Sequence, residues 1–167
     1  MATDQATRDH LLTMLRGNAG RRLEGAAKDF PMDAINSYPP NVDYTPWHLL
    51  EHLRISLLDI FEYTRDPARY VARKHPDDYW PAHDARAEPA QWQQTLEGYQ
   101  SLLQELEEMV SDPQTDLLAP LPNTPGHTVF REAGLVIGHM SYHIGEFGIL
   151  RQVMQTWPPD HGTSARG

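Results

Sequence analysis

The stretch VFREAGLVIGHMSYHIGEFGILRQVMQTW, residues 129–157, decides the fold. Its apolar residues recur every three or four positions, which is the repeat of one face of an α-helix. Pro158 and Pro159 end the segment because proline cannot continue a helix. The repeating positions are Val129, Ala133, Val136, Met140, His143, Phe147, Leu150, Met154 and Trp157. The pattern predicts a long amphipathic helix whose inward face carries one histidine.

A second helix is predicted near the beginning of the chain, over about residues 4–30. Its apolar residues are again three or four apart, and Pro31 ends it. Gly17 and Gly20 lie in its middle, and each lowers helix stability by up to about 1 kcal/mol relative to alanine. We therefore expect that the helix can break near Gly17–Gly20.

The two remaining helices have clear start and stop signals. One begins at Thr45, a good capping residue, followed by Pro46 in the first helical position, and it ends before Pro67. The other begins near Pro89 and ends before Pro113. Both show the helical repeat of apolar residues, and nothing in the chain alternates for long enough to indicate a strand.

Four amphipathic helices predict an all-α fold, a four-helix bundle with long inter-helix loops. The chain has 167 residues, which corresponds to one domain, expected over 1–157 with a frayed tail at 158–167. The loops are longer than bundle connections usually are, and long loops tend to serve function. The middle loop contains Tyr79-Trp80-Pro81, which either plugs one end of the bundle or forms the wall of a pocket.

Composition excludes several classes of function. The chain contains no cysteine, so a disulfide framework, a zinc–thiolate finger, an iron–sulfur cluster and a cysteine nucleophile are all ruled out. Its formal net charge is −9, which disfavours binding to nucleic acid or to an anionic membrane. Neither a secretory signal pattern nor a run of about 18 apolar residues is present, so we expect a cytoplasmic protein with no membrane span.

Two of the nine histidines have a spacing that suits a metal. His139 and His143 are four apart on the last predicted helix, so both rings project from one face and can bind one cation. His143 also replaces an apolar residue of the core-facing repeat, and a buried imidazole needs a partner. Glu146 and Glu132 lie on the same face. The pattern fits a metal site with supporting carboxylates or an internal hydrogen-bond network.

A third ligand has to come from another helix. His52 borders the apolar face of the helix that begins at Pro46, so it is the best candidate. His48 lies in the first turn of that helix, where side chains usually reach solvent. Glu51 points about 100° away from His52, so we interpret it as a surface charge.

The motifs Trp47-His48-Leu49-Leu50-Glu51-His52-Leu53 and Gly138-His139-Met140-Ser141-Tyr142-His143-Ile144-Gly145-Glu146 are recognisable together. In this order and spacing the chain resembles the DinB-like (YfiT-type) family of four-helix-bundle metalloproteins over nearly its whole length. The resemblance implies that His52, His139 and His143 bind a divalent metal. It also implies a homodimer. One residue departs from the family pattern: Glu146 stands where a glutamine is frequent, and it could act as a fourth ligand or as a base.

Three neutral imidazoles suit zinc, nickel or ferrous iron and leave a position open for water or substrate. The resemblance implies metal-dependent transferases or isomerases that use low-molecular-weight thiols. Because the chain has no cysteine of its own, such a thiol must arrive as a cosubstrate, and a small electrophile is its partner.

Our leading hypothesis is therefore an enzyme in which the metal activates a small thiol or water, with Glu146 as the catalytic candidate. The alternative is a stress-associated protein that binds metal or a ligand without turnover. A third reading is a plain bundle whose histidines form a hydrogen-bonded seam and which serves dimerisation.

Overall fold

A computed structural model describes residues 2–159 and shows four long helical segments without a strand in that part of the chain. The elements are α1 (Ala2–Met14), a π-helical segment (Leu15–Arg21), α2 (Arg22–Ala27), α3 (Pro46–Arg65), a short 3₁₀ turn (Asp77–Tyr79), α4 (Pro89–Ser111) and α5 (Val129–Met154). The prediction of an all-α fold is confirmed. The expected tail from 160 onward lies outside the described residues.

The helices begin where the sequence signals place them. The Thr45 side chain accepts a hydrogen bond from the His48 amide and caps α3, with Pro46 in the first turn. Thr128 caps α5 by accepting from the Arg131 amide. The end of α5 differs from the prediction: the helix stops at Met154 because Gln155 takes a left-handed conformation, with φ of 57°.

The expected interruption near Gly17 and Gly20 is present, but it is a π-helical segment and not a non-helical break. The chain stays helical from Ala2 to Ala27, and the two glycines lie in the π-helical segment that joins α1 to α2. Gly20 lies against α4, where an added Cβ would come within 3.3 Å of the Leu103 side chain. The first helix also ends at Ala27 rather than near Phe30.

The core forms between these helices, and α3 packs against both α4 and α5. Most of the largest fully buried side chains are leucines, and most of these lie on the predicted inward faces. Two arginines are buried among them: Arg8 reaches the end of α4, and Arg151 reaches the end of α2. This packing brings the middle of α5 beside the first half of α3.

No helix in residues 2–159 is long and apolar enough to cross a membrane.

Candidate metal centre

The structure brings together the three histidines that the sequence singled out. His52 lies on α3, and His139 and His143 lie one turn apart on α5. One ring nitrogen from each residue lies within 4.8 Å of those of the other two. The group could hold a metal ion, and three histidines are one of the known ligand sets of catalytic zinc.

His52 is held from two sides by the loop 66–88 that connects α3 to α4. Its Nδ1 atom lies 2.8 Å from the carbonyl oxygen of Tyr79. The indole of Trp80 stacks on the imidazole, with ring centroids 3.9 Å apart and planes only 5° from parallel. These contacts leave Nε2 as the free nitrogen of the ring, and they orient it towards α5.

His143 is oriented by a carboxylate. Its Nδ1 atom lies 2.6 Å from Oε2 of Glu146, and the other oxygen of Glu146 accepts a hydrogen bond from the hydroxyl of Tyr44. Burial, and then the hydrogen bond to Glu146, raise the pKa of Tyr44, so this hydroxyl keeps its proton and donates it. Both oxygens of Glu146 are therefore engaged, one of them with a candidate ligand.

The two hydrogen bonds determine where the lone pairs of these rings point. A backbone carbonyl can only accept a hydrogen bond, so Nδ1 of His52 carries a proton. Nδ1 of His143 faces a carboxylate, which also accepts, so this nitrogen carries a proton as well. In the neutral rings both Nε2 atoms then present lone pairs, and these atoms are 3.3 Å apart. Two facing lone pairs repel each other unless a proton or a metal ion lies between them. Tetrahedral zinc with Zn–N bonds of about 2.0–2.1 Å separates its nitrogens by about 3.3–3.4 Å.

His139 completes the group without a second anchor. Its Nδ1 atom is buried and has no hydrogen-bond partner among the described residues. Burial, followed by repulsion from the neighbouring histidines, lowers the pKa of His139 to about 4. Burial also lowers the pKa of His52 to about 4. Both rings are therefore neutral near pH 7, which is the state that binds metals.

The group lies near the surface rather than at the centre of the core. His52 is 6% exposed, whereas the side chains of His143 and Glu146 are 13% and 29% exposed. Solvent therefore reaches the group from the side of α5. Trp80 and Tyr44 contact each other beside it, with centroids 5.2 Å apart. Of the two interpretations of the Tyr79-Trp80-Pro81 loop, the structure favours the wall of a site.

Two expectations about neighbouring residues are wrong. His48 does not reach solvent: it is buried, its Nδ1 accepts from the Thr45 amide at 3.3 Å, and its Nε2 donates to the Ala85 carbonyl at 2.8 Å. Glu132 does not support the candidate ligands. It pairs instead with Arg131 and with Nδ1 of His127, 3.2 Å away, because it lies two turns nearer the start of α5.

Glu51 lies apart from the histidine group, as predicted, but it is not a free surface charge. It is half-buried, pairs with Arg54 on its own helix and accepts a hydrogen bond from Thr95 of α4 at 3.0 Å. Its role is to join α3 to α4.

Sequence reasoning missed two residues that support the site. Tyr44 precedes the cap of α3, and nothing in its spacing relates it to Glu146 on α5. Asp59 lies two turns after His52 on α3 and accepts hydrogen bonds from residues of the loop 66–88. An acidic residue next to the apolar face was the available signal for Asp59, but its partners come from a loop without periodicity.

Three comparisons, with models of protein families, with curated proteins and with solved structures, found no match for the chain. The DinB-like resemblance therefore stays a prediction that depends on the two histidine motifs.

Proposed function

We propose that this protein is a metal-dependent enzyme of the DinB-like type. His52, His139 and His143 hold a divalent cation, and a low-molecular-weight thiol or water is activated there for transfer to a small electrophile. The observation that carries the proposal is the pair of Nε2 atoms 3.3 Å apart, both of which carry lone pairs in the neutral rings. A metal ion between them removes this repulsion, which in the metal-free protein only a proton on one of the rings relieves.

A divalent metal held by three imidazoles lowers the pKa of a water or thiol at its open position. The surrounding residues prepare that position. Tyr79 and Glu146 hold the rings of His52 and His143 through their outer nitrogens, which is the usual support of metal-bound histidine. The partial exposure of His143 and Glu146 provides a path from solvent to the site.

The thiol in this proposal is a cosubstrate. The sequence contains no cysteine, so a sulfur nucleophile has to be bound from solution. The environment of the site suits a neutral or weakly polar molecule, because the contacts around it are aromatic: the rings of Trp80, Tyr44 and Tyr142 lie next to the histidines or to each other. Aromatic faces provide apolar contact area at low entropic cost.

The role of Glu146 as a base stays a proposal. Its two oxygens already accept hydrogen bonds from His143 and Tyr44, and this engagement favours orientation of His143 as its first task. A base would have to release one of these partners during the reaction. Kinetics of a Glu146→Gln variant that still binds metal would separate the two roles.

Metal quantification on protein purified without an affinity tag tests the proposal. We expect about one divalent ion per chain in the wild type and in His10→Ala, whose exposed ring lies on α1, but none in His143→Ala. Assays with thiol cosubstrates against a panel of electrophiles then test turnover. Metal uptake without turnover supports the alternative, a non-catalytic binding protein. Absence of metal in the wild type contradicts the proposal and supports the hydrogen-bonded seam.

A homodimer is part of the proposal, and the outer face of α5 is its candidate interface. Leu135, Tyr142 and Ile149 are exposed at seven-residue intervals, with Gly138 and Gly145 between them. None of these five positions is charged, although the chain carries a net −9. The alternation of large residues and glycine is self-complementary, because a tyrosine of one copy fits against a glycine of an antiparallel second copy.

Light scattering after size exclusion tests this interface. We expect the wild type to be dimeric and Tyr142→Glu to be monomeric, while Leu118→Glu stays dimeric, because Leu118 is equally exposed but lies in the loop before α5. A monomeric wild type contradicts the interface and leaves the metal centre unaffected.

A further inference from the structure

Asp59 connects the loop 66–88 to α3. Asp59 is buried, with 8% of the residue exposed. It accepts hydrogen bonds from the hydroxyls of Tyr70 and Tyr79, each at 2.7 Å, and from Nη1 of Arg73 at 2.9 Å. All three donors belong to the loop, so one carboxylate fixes the loop at three points along its length.

Tyr79 contacts the candidate metal centre directly. Its hydroxyl donates to Asp59, whereas its carbonyl oxygen accepts from Nδ1 of His52. The next residue, Trp80, covers the same imidazole. Asp59 and His52 are on one helix, two turns apart, and Tyr79 spans the distance between them.

We propose that Asp59 is a positioning residue of the metal centre, which acts through Tyr79 to hold the His52 ring in the orientation that binds the cation. This inference rests on the proposed metal site. His139 and His143 share one helix and keep their spacing without help. The third imidazole comes from α3, and its orientation depends on a loop that has to be fixed in place.

The arrangement makes metal binding and loop closure mutually dependent. A cation fixes the His52 ring, the ring fixes the Tyr79 carbonyl, and the loop is thereby held more firmly against α3. Coupling of this kind is reciprocal. A change that loosens the loop weakens binding of the cation, and removal of the cation loosens the loop. Ordering a loop costs conformational entropy at every residue, so its anchors decide whether it stays closed.

The competing explanation is that Asp59 has a purely structural role. Variants of the two tyrosines that donate to Asp59 distinguish this explanation from the proposal. Tyr70→Phe and Tyr79→Phe each remove one hydroxyl that donates to Asp59 at the same distance. Only Tyr79 also contacts His52. Both variants keep the ring and the backbone, so both are expected to fold. The two hydroxyls also interact with each other, so Tyr70 reaches the metal centre only through Tyr79, whereas Tyr79 reaches it directly.

We expect Tyr79→Phe to weaken Zn²⁺ binding about 10-fold in a chelator competition assay, within the range of outer partners of metal ligands. Tyr70→Phe is expected to stay within about twofold of the wild type. With Co²⁺ as the probe, the visible absorption spectrum should change in Tyr79→Phe and stay unchanged in Tyr70→Phe. Glu62→Gln serves as a further control, because Glu62 also pairs with Arg73 but has no contact with Tyr79.

A measurement on metal-free protein supplies a second test. In ¹⁵N-labelled histidine spectra, we expect the Nδ1–H form of His52 to dominate in the wild type and in Tyr70→Phe. Tyr79→Phe should shift a measurable fraction to the other tautomer. Equal spectra and equal Zn²⁺ affinities for the two tyrosine variants overturn the proposal. If the wild type binds Zn²⁺ and the two variants behave alike, only the role of Asp59 fails; if the wild type binds no Zn²⁺, the proposed function fails with it.

Discussion

His48 and His52 lie one turn apart on α3, and both are buried. The two rings nevertheless have different surroundings. Both nitrogens of His48 are occupied by backbone groups, the Thr45 amide and the Ala85 carbonyl. His52 has only one nitrogen on the backbone, at Tyr79, and its other nitrogen faces His143 across 3.3 Å. The first ring closes a helix cap, and the second is left with a lone pair.

This difference shows that burial alone does not identify a candidate metal ligand. What distinguishes the two rings is whether the second nitrogen already has a complementary partner. A donor that meets an acceptor satisfies the ring and makes it structural. A lone pair that meets another lone pair has to be satisfied by a proton or a metal ion.

Replacing each of the two rings tests the comparison most strongly. We expect His52→Ala to weaken Zn²⁺ binding by more than about 100-fold, because losing a ligand exceeds the effect of losing an outer partner. His48→Ala should bind Zn²⁺ nearly as the wild type does, since its ring nitrogens face away from the centre. Chelator competition measures both affinities. Equal losses in the two variants would contradict the distinction.

The next largest loss of Zn²⁺ affinity is expected from substitution of Glu146, which supports His143. Glu146→Ala removes the carboxylate that faces Nδ1 of His143, and we expect Zn²⁺ affinity to fall about 10- to 100-fold. Glu146→Gln keeps an oxygen that can accept from His143, so its loss should be smaller. Isothermal titration measures the affinities. An unchanged affinity in Glu146→Ala would show that the carboxylate does not orient this ring.

His48 should affect the stability of the fold, whereas His52 should affect the affinity for the metal. We expect His48→Ala to lower the free energy of unfolding of the metal-free protein by about 1–2 kcal/mol. It loses one partner of the capping box and one hydrogen bond to the loop. Urea denaturation measures the change. His52→Ala serves as the comparison, and a larger loss there than in His48→Ala would reverse the assignment.

The smallest effect is a dependence of stability on pH in the metal-free protein. Burial lowers the pKa of His52 and of His139 from 6.5 to about 4, so the unfolded chain takes up protons at a higher pH than the folded one. Their contribution to stability is complete above pH 6.5 and is lost as the pH falls towards 4. Urea denaturation at several pH values between 7 and 4 measures this. The free energy of unfolding should fall less steeply with decreasing pH in His139→Ala than in the wild type. Parallel curves would show that the ring is not desolvated.

Most of the fold could be predicted because its signals are local. Prolines and capping threonines mark the helix ends, and the apolar repeat marks the inward faces, so the all-α class and the position of His143 on the inward edge of α5 follow from neighbouring residues. The π-helical segment could not be predicted in the same way. Gly17 and Gly20 lower helix propensity, but packing against α4 keeps the chain helical there.

In the candidate site, too, the residues related by local spacing could be predicted and their partners from distant segments could not. His139 and His143 are related by their spacing on one helix, and His52 by its position beside an apolar face. The partners of these rings come from elsewhere in the chain: Tyr44 from the segment before α3 and Tyr79 from the loop after it. Such contacts depend on how the loops pack, and packing between distant segments leaves no periodic pattern in the sequence. For the same reason, the burial of His48 was not foreseen.

The buried guanidinium of Arg151 has a consequence for the axial register of α5. It donates to the carbonyls of Ala26, in the last turn of α2, and of Lys28, which follows the helix, at 2.7 Å each. A slip of α5 by one residue would move it 1.5 Å along its axis and turn it by about 100°, and these bonds oppose that movement. The rotation would carry His139 and His143 away from α3. An arginine two turns beyond His143 thus sets the angular position at which the imidazoles meet.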